Sequence, residues 1–203
     1  MDADDIMEPT RIEVQMAFMN SNSNIDIVGS NALVINSDGI PTGGVMRKYT
    51  NHEALSELIF FETPFVHPSI CIRLKKHQWK YEDWPHSQDY ATWIKLCKNL
   101  EYANIDQVLI RYRIGHSSTS KQHSVAIDRK YTLMRTLIKS VFPTWNETQI
   151  YRHYLWTNKD RLKQASPGFV SFVFWSYDII LAKGVSRIIV FQLLKRLYWF
   201  IKF

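Results

Sequence analysis

Near Ser124 the hydrophobic pattern of this 203-residue chain changes period, and that change limits the possible folds more than any other feature. Ahead of it, short β-branched runs bounded by turn residues alternate with stretches of helical spacing. After it, only helical spacing remains. Alternating strands and helices favour a layered α/β fold. The expected organisation is therefore an α/β region over 1–120 followed by a helical region over 121–203. Formal charge divides at the same place: 1–120 holds 11 Lys/Arg and 15 Asp/Glu, whereas 121–203 holds 14 and 4. An acidic region joined to a basic one predicts that the second part meets something anionic.

Pro9 suits the first turn of a helix in which Ile12, Met16 and Met19 form one buried stripe, ending near Asn20. Two short strands are expected at 25–29 and 32–35, then a turn at 36–39 and a second helix over 52–61. The apolar, partly β-branched run 66–73 predicts another strand, leading into a charged loop over 75–86. Ser87 can cap a helix whose Tyr90, Trp93, Ile94 and Cys97 share one face. A last strand is expected at 108–112, and helices follow over 126–141 and 148–156, with a break at Ser166-Pro167-Gly168.

The remaining segment, 169–203, is rich in aromatic and branched aliphatic residues, but Asp178, Lys183, Arg187, Lys195, Arg196 and Lys202 interrupt it. No uncharged run reaches the ~18 residues that a spanning helix needs. Projected as a helix, Ile189, Val190, Leu193, Leu194, Leu197, Phe200 and Ile201 fall on one side, with Arg187, Gln192, Lys195, Arg196 and Lys202 on the other. Such a helix either docks its apolar face on the core or lies at an anionic membrane surface, which the basic residues and Tyr198-Trp199 suit. Membrane contact is the expectation. Nucleic acid is not an expected partner, because the aromatics follow burial spacing rather than standing as stacking platforms. Cys71 and Cys97 are too few for a disulfide framework, and the acidic Met1–Asp5 lacks the pattern of a secretory leader. A cytoplasmic protein, peripheral at the inner face of the cell membrane, is expected.

Asp2-Ala3-Asp4-Asp5 packs three carboxylates into four positions, a repulsive arrangement that a divalent cation would relieve. Alternation along an extended segment would put Asp2 and Asp4 on the same side. Asp89, at the first turn of an apolar-faced helix, stands where N–H dipoles favour a carboxylate's charge, and it is a candidate base. The separations of His67, Cys71, His77 and His86 match no common zinc pairing. His116 falls in a polar loop past the last strand, open either to ligand contact or to solvent.

In order along the chain, these pieces resemble the family 2 glycosyltransferases. Asp2-Ala3-Asp4-Asp5 with Pro9, Arg11, Glu13 and Gln15 is similar to the segment at and after that family's Asp-x-Asp motif. Val28-Gly29-Ser30, the run from Pro64 through His67-Pro68-Ser69, Gln88-Asp89-Tyr90-Ala91-Thr92-Trp93 and Tyr112-Arg113 continue the likeness. The resemblance implies a partial Rossmann-like nucleotide-sugar transferase fold of GT-A type. It further implies Mg2+ or Mn2+ at Asp2 and Asp4, with Asp4 as the direct ligand. Donor contacts would come from Asp2, Asp4, His67, Gln88 and Arg113, and Asp89 would be the base in an inverting transfer. The donor would be a nucleotide-sugar and the acceptor a saccharide or lipid-linked saccharide, with hexosyl transfer in bacterial surface polysaccharide synthesis. Two departures stand out: Gln88 occupies a position where many relatives carry Glu, and Gly115 stands where they carry His, with His116 one place later. That family sets its nucleotide-binding half ahead of the Asp-x-Asp motif, so the expectation is a C-terminal portion. The alternative is an inactive fragment acting as a membrane-associated binding module.

Overall fold

One parallel pair of strands organises the first part of the chain. In the computed structural model, which describes residues 2–74, 88–96, 99–115 and 126–202, β1 is Ile6–Met7, β2 Ile27–Ile35, β3 Pro41–Met46, β4 Cys71–Ile72 and β5 Tyr102–Arg113. β2 and β5 run parallel from Ile27 opposite Tyr102 to Ile35 opposite Arg113. Their start is pinned by Asp26, whose N–H donates to the Glu101 carbonyl at 2.8 Å while its carboxylate accepts from the Glu101 N–H at 3.2 Å. β1 pairs antiparallel with the far edge of β5, and β3 and β4 pair antiparallel with β2, giving a mixed sheet in the order β1-β5-β2-β3. Every residue of β2 from Ile27 to Ala32 is buried, so the two short strands expected from the sequence are one continuous strand. Its interior residues Gly29, Ser30 and Asn31 break the apolar run without breaking the strand. Ser30 and Asn31 both have partners: the Ser30 N–H donates to Ser69 Oγ, and Asn31 Nδ2 donates to Asp106 Oδ1.

Helices α1 (Arg11–Ser21), α2 (His52–Leu58) and α3 (Gln88–Leu96) accompany this sheet. The expected α1 stripe of Ile12, Met16 and Met19 is corrected by the structure. Only Met19 is buried, Ile12 and Met16 are 52% and 44% exposed, and the inward face is Arg11, Gln15 and Met19. The cause is a polar cluster that satisfies itself. Arg11 Nε donates to Gln15 Oε1 at 3.0 Å, Gln15 Nε2 donates to the Ser69 carbonyl at 2.7 Å and the Val28 carbonyl at 3.3 Å, and Arg11 Nη2 donates to the Ile70 carbonyl at 3.2 Å. Ser69 Oγ meanwhile donates to the Val66 carbonyl at 2.7 Å. Pro68 and these bonds bend the chain into a 3₁₀ turn at His67–Ser69, leaving only Cys71–Ile72 as strand where 66–73 was expected.

The chain divides into two compact units, Met1–His123 and Ser124–Phe203. The second is helical: α4 (Ala126–Val141), α5 (Glu147–Thr157), α6 (Lys159–Ala165), α7 (Phe169–Lys183) and α8 (Arg187–Lys202). Asn146 and Gln149 form a capping box at the start of α5. Ser166 adopts a left-handed conformation with φ 41° and ends α6 just before Pro167 and Gly168. The interior centres on Trp156 and Trp175, stacked with ring centroids 5.8 Å apart, and Trp175 Nε1 donates to His153 Nδ1 at 3.1 Å. The α8 projection is also corrected. Ile189, Gln192 and Arg196 are buried, whereas Val190, Leu194 and Ile201, placed on the docking face by the sequence, are exposed.

Two stability predictions follow from the first unit. A methyl group on Gly29 would run into Asn104 Oδ1 and reach 3.0 Å from Phe65 Cδ1. Asn104 cannot swing aside, because its amide donates to the Tyr49 and Pro64 carbonyls at 2.9 and 3.1 Å. Gly29→Ala is expected to cost about 2–3 kcal/mol in urea unfolding, the upper part of the usual overpacking range. Gln15→Leu deprives the Ser69 carbonyl of a donor and Arg11 Nε of its acceptor, leaving Arg11 only the Ile70 carbonyl, for a loss of about 2–4 kcal/mol. Ile12→Gln, on the exposed face of the same helix, should change stability by less than ~0.5 kcal/mol. A larger loss for Ile12→Gln than for Gln15→Leu would show that α1 packs by its apolar stripe after all.

Candidate active site

The acidic motif sits in a turn rather than in the extended segment expected for it: Ala3 and Asp4 form the corner, and the Asp5 N–H donates to the Asp2 carbonyl at 3.4 Å. The turn separates the three carboxylates. Asp2 and Asp4 are exposed, and Asp5 points inward at 8% exposure, its Oδ1 accepting from the Arg113 backbone N–H at 2.7 Å. Burial pushes the Asp5 carboxyl above the ordinary carboxylate range; the Arg113 N–H opposes this, and the neighbouring Asp4 and Asp2 charges add to it. Asp5 Oδ2 is buried without a hydrogen-bond partner among the described residues.

β5 holds this turn in place. Ile6 and Met7 pair with Arg111 and Ile110, the Glu8 N–H donates to the Leu109 carbonyl at 3.0 Å, and Arg111 Nε reaches Glu8 Oε1 at 2.7 Å. Arg113 then ties three segments together: its Nε donates to the Asp4 carbonyl at 2.7 Å, and its Nη1 donates to the Asn36 and Ser37 carbonyls at 3.0 and 2.6 Å. Arg113 therefore shapes the acidic turn through Nε and Nη1.

Asp89 is carried by α3. It lies in the helix's first turn and is half-buried. The next residue anchors the helix, with the Tyr90 hydroxyl donating to the Ile59 carbonyl at 2.7 Å. Trp93, fully buried, packs edge-on to Phe65 at 5.2 Å and against His67 at 5.7 Å. His67, half-buried at the head of the 3₁₀ turn, is thus set against the helix that carries Asp89. Gln88 is the first residue of α3. Ser87 and His116, named from the sequence, lie outside the described residues.

Tyr112, next to Arg113 on β5, is half-buried and packs against Ala32, Val66 and Ile110. Its hydroxyl is pushed above the ordinary phenol range by burial first, then by Asp5, Asp2, Asp4 and Asp89. Sequence reasoning gave neither Asp5 nor Tyr112 a role at the site. The available signal was that Tyr112 precedes Arg113 on the strand that pairs beside the motif.

Chemically, the site offers hard oxygen ligands and one carboxylate on a rigid helix. Among the described residues, no three of His, Cys, Asp and Glu converge on one point as a metal cage. Asp2 and Asp4 still fit a cation that takes one or two carboxylates and completes its shell with phosphate oxygens and water, as Mg2+ does.

No family model matches the chain. Individual relatives are found. Over 126 residues it is 31% identical to the O-antigen biosynthesis glycosyltransferase WbnJ of Escherichia coli, covering 60% of this chain and 48% of that protein. It is 27% identical over 125 residues to the amylovoran biosynthesis glycosyltransferase AmsE of Erwinia amylovora, covering 60% and 46%. An uncharacterized glycosyltransferase of Methanocaldococcus jannaschii, MJ1057, is 32% identical over 117 residues, covering 56% and 40%. Each match spans less than half the length of the relative. The proteins to which this mixed α/β chain is similar are glycosyltransferases.

Proposed function

We propose that these residues form the acid-bearing part of a metal-dependent, inverting glycosyltransferase of the GT-A, family 2 type, acting in the synthesis of a surface polysaccharide. The observation that carries the proposal is the acidic turn, where Asp2 and Asp4 stand exposed on a corner that Arg113 holds through the Asp4 carbonyl and the Asp5 carboxylate. The similarity to glycosyltransferases of O-antigen and amylovoran biosynthesis supports it. The donor would be a nucleotide-sugar, with a hexosyl group the simplest choice, and the acceptor a saccharide or lipid-linked saccharide.

In this proposal Asp2 and Asp4 would hold Mg2+ or Mn2+, with Asp4 as the direct ligand, next to where the donor diphosphate would bind. The cation, when bound, offsets the charge that grows on the leaving diphosphate. Asp89 accepts the proton of the acceptor hydroxyl as that oxygen attacks the anomeric carbon and the bond to the diphosphate breaks on the opposite face, so configuration inverts. The Trp93 and Tyr90 anchors fix Asp89 for this step, and a positioned base is worth roughly 10²–10⁴ in rate. His67 and Gln88 flank the base as donor contacts, and Arg113 contributes by shaping the Asp2–Asp5 turn.

In the enzyme carrying these residues, Asp89→Asn is expected to lower turnover by at least ~100-fold while leaving donor affinity nearly intact, read from nucleoside diphosphate release and donor titration. Asp4→Ala should weaken donor binding only in the presence of Mg2+ or Mn2+. Normal turnover in Asp89→Asn would sink the base assignment, and donor binding indifferent to the cation would sink the metal assignment.

A further inference from the structure

Helices α7 and α8 carry large apolar side chains on their outward sides as well as inside, where Phe172, Trp175, Ile179 and Ile189 are buried. On α8, Gln192 and Arg196 face inward at 1% exposure, and Phe191, Leu194, Tyr198 and Ile201 face outward at 55%, 58%, 59% and 74%. On α7, Asp178 is buried, whereas Val170, Val173, Phe174, Tyr177 and Leu181 are all at least 50% exposed. Their spacing of i, i+3, i+4, i+7 and i+11 makes a single stripe along the helix. A short connection, Gly184–Ser186, joins the two helices, and at its α8 end Val185, Val190, Phe191 and Leu194 line a groove of about 430 Å³ with Arg187 at its rim. A protein whose surroundings are water alone rarely leaves so much contiguous apolar surface uncovered.

Charge distinguishes the possible occupants. Residues 169–203 carry Lys183, Arg187, Lys195, Arg196 and Lys202 against one acid, Asp178. That acid is already taken up internally, accepting from Arg152 Nη1 at 2.7 Å and Gln149 Nε2 at 2.9 Å. Arg196 is buried against Gln192, so the outward face is apolar with Lys183, Arg187, Lys195 and Lys202 as the accessible cations of the two helices. A second copy joined through this face by two-fold symmetry would set like charges against like. An anionic lipid surface would instead match them, and aromatic residues beside lysines, such as Tyr198 with Lys202 and Trp199 with Lys195, suit the headgroup layer. No helix among the described residues is long and apolar enough to cross a membrane. The face would therefore lie in the plane of the interface.

We infer that the α7–α8 hairpin is a membrane-docking element that seats its outward apolar stripes in one leaflet of an anionic bilayer. The inference stands on the second unit alone and does not depend on the transfer reaction. The test is co-sedimentation of the full chain with phosphatidylcholine vesicles, with and without about one third phosphatidylglycerol. Binding should be at least tenfold stronger to the anionic vesicles, weaken in 0.5 M salt without vanishing, and fall at least tenfold in Phe174→Glu/Leu181→Glu and in Leu194→Glu/Ile201→Glu. All four positions are exposed, so circular dichroism of both variants should match the parent. As a measure independent of substitution, acyl-chain-brominated lipids should quench part of the parent's tryptophan emission through half-buried Trp199. Equal binding by parent and variants, equal binding to neutral and anionic vesicles, or absence of quenching would overturn the inference. So would a concentration-dependent dimer that the Glu variants disperse without any vesicle binding, which would assign the face to a second copy.

Discussion

The side-chain amide of Gln15 is the contact on which the first unit most depends. It lies at 0% exposure between helix, sheet and turn, donating to Ser69 and Val28 carbonyls and accepting from Arg11. Burying the Arg11 guanidinium is costly and lowers its pKa, desolvation being the chief cause. The structure sustains that cost because Gln15 Oε1 and the Ile70 carbonyl accept its N–H groups. In return the 3₁₀ turn at His67–Ser69 is held on both sides, by α1 and by the Ser30 N–H of β2. Phe65 and His67 flank that turn and receive Trp93, and Trp93 sets α3, so the position of Asp89 traces back to a glutamine on a different helix.

The acidic turn has an independent support. Arg113 holds the Asp4 carbonyl and the 36–37 corner with its guanidinium, and holds the Asp5 carboxylate with its backbone N–H. Strand β5 is therefore common to both arrangements: its first residues pack under Phe65 and α2, and its last residues carry the turn with Asp2 and Asp4. The parallel pairing keeps one register from Ile27–Ser30 against Tyr102–Ile105 and another from Ala32–Ile35 against Ile110–Arg113, with irregularities on either side of Asn31 taking up the extra residues of β5. Any displacement of β5 along β2 would move the exposed carboxylates relative to α3.

The sequence made the element types legible where period and punctuation agreed. Helix α4 spans the expected 126–141, α5 lies within one residue of expectation at each end, and the turn after β2 falls at Asn36–Gly39, where Asn36 Oδ1 accepts from the Asp38 and Ile40 N–H groups. Asp2, Asp4, His67, Asp89 and Arg113 all lie in the first unit. What periodicity could not show was which face turns inward. It assumes that polar residues seek water, and that assumption fails in α1 and α8 for the same reason. Each helix carries an arginine and a glutamine four residues apart, Arg11 with Gln15 and Gln192 with Arg196, and in each the arginine donates to the amide oxygen of its neighbour on the next turn. Two side chains that satisfy each other can be buried as a unit.

Burying such a pair has a consequence on the opposite face. A helix has one circumference, so every inward polar position displaces an apolar one outward, and each large side chain left in water forgoes roughly 1.5–3 kcal/mol of burial. In α1 the outward residues are Ile12 and Met16, and in α8 they are Phe191, Leu194, Tyr198 and Ile201. Packing specificity can offset two such residues. In α7 and α8 the outward set is larger, five residues on one helix and four on the other, alongside the buried Phe172, Trp175, Ile179 and Ile189, while the Gln192–Arg196 pair contributes hydrogen bonding worth only about 1.5–3 kcal/mol net where the charge is involved. If the outward face is seated in a leaflet as inferred above, those side chains regain an apolar medium, and the cations at the α7–α8 connection and at the end of α8 meet anionic headgroups that lower the electrostatic free energy.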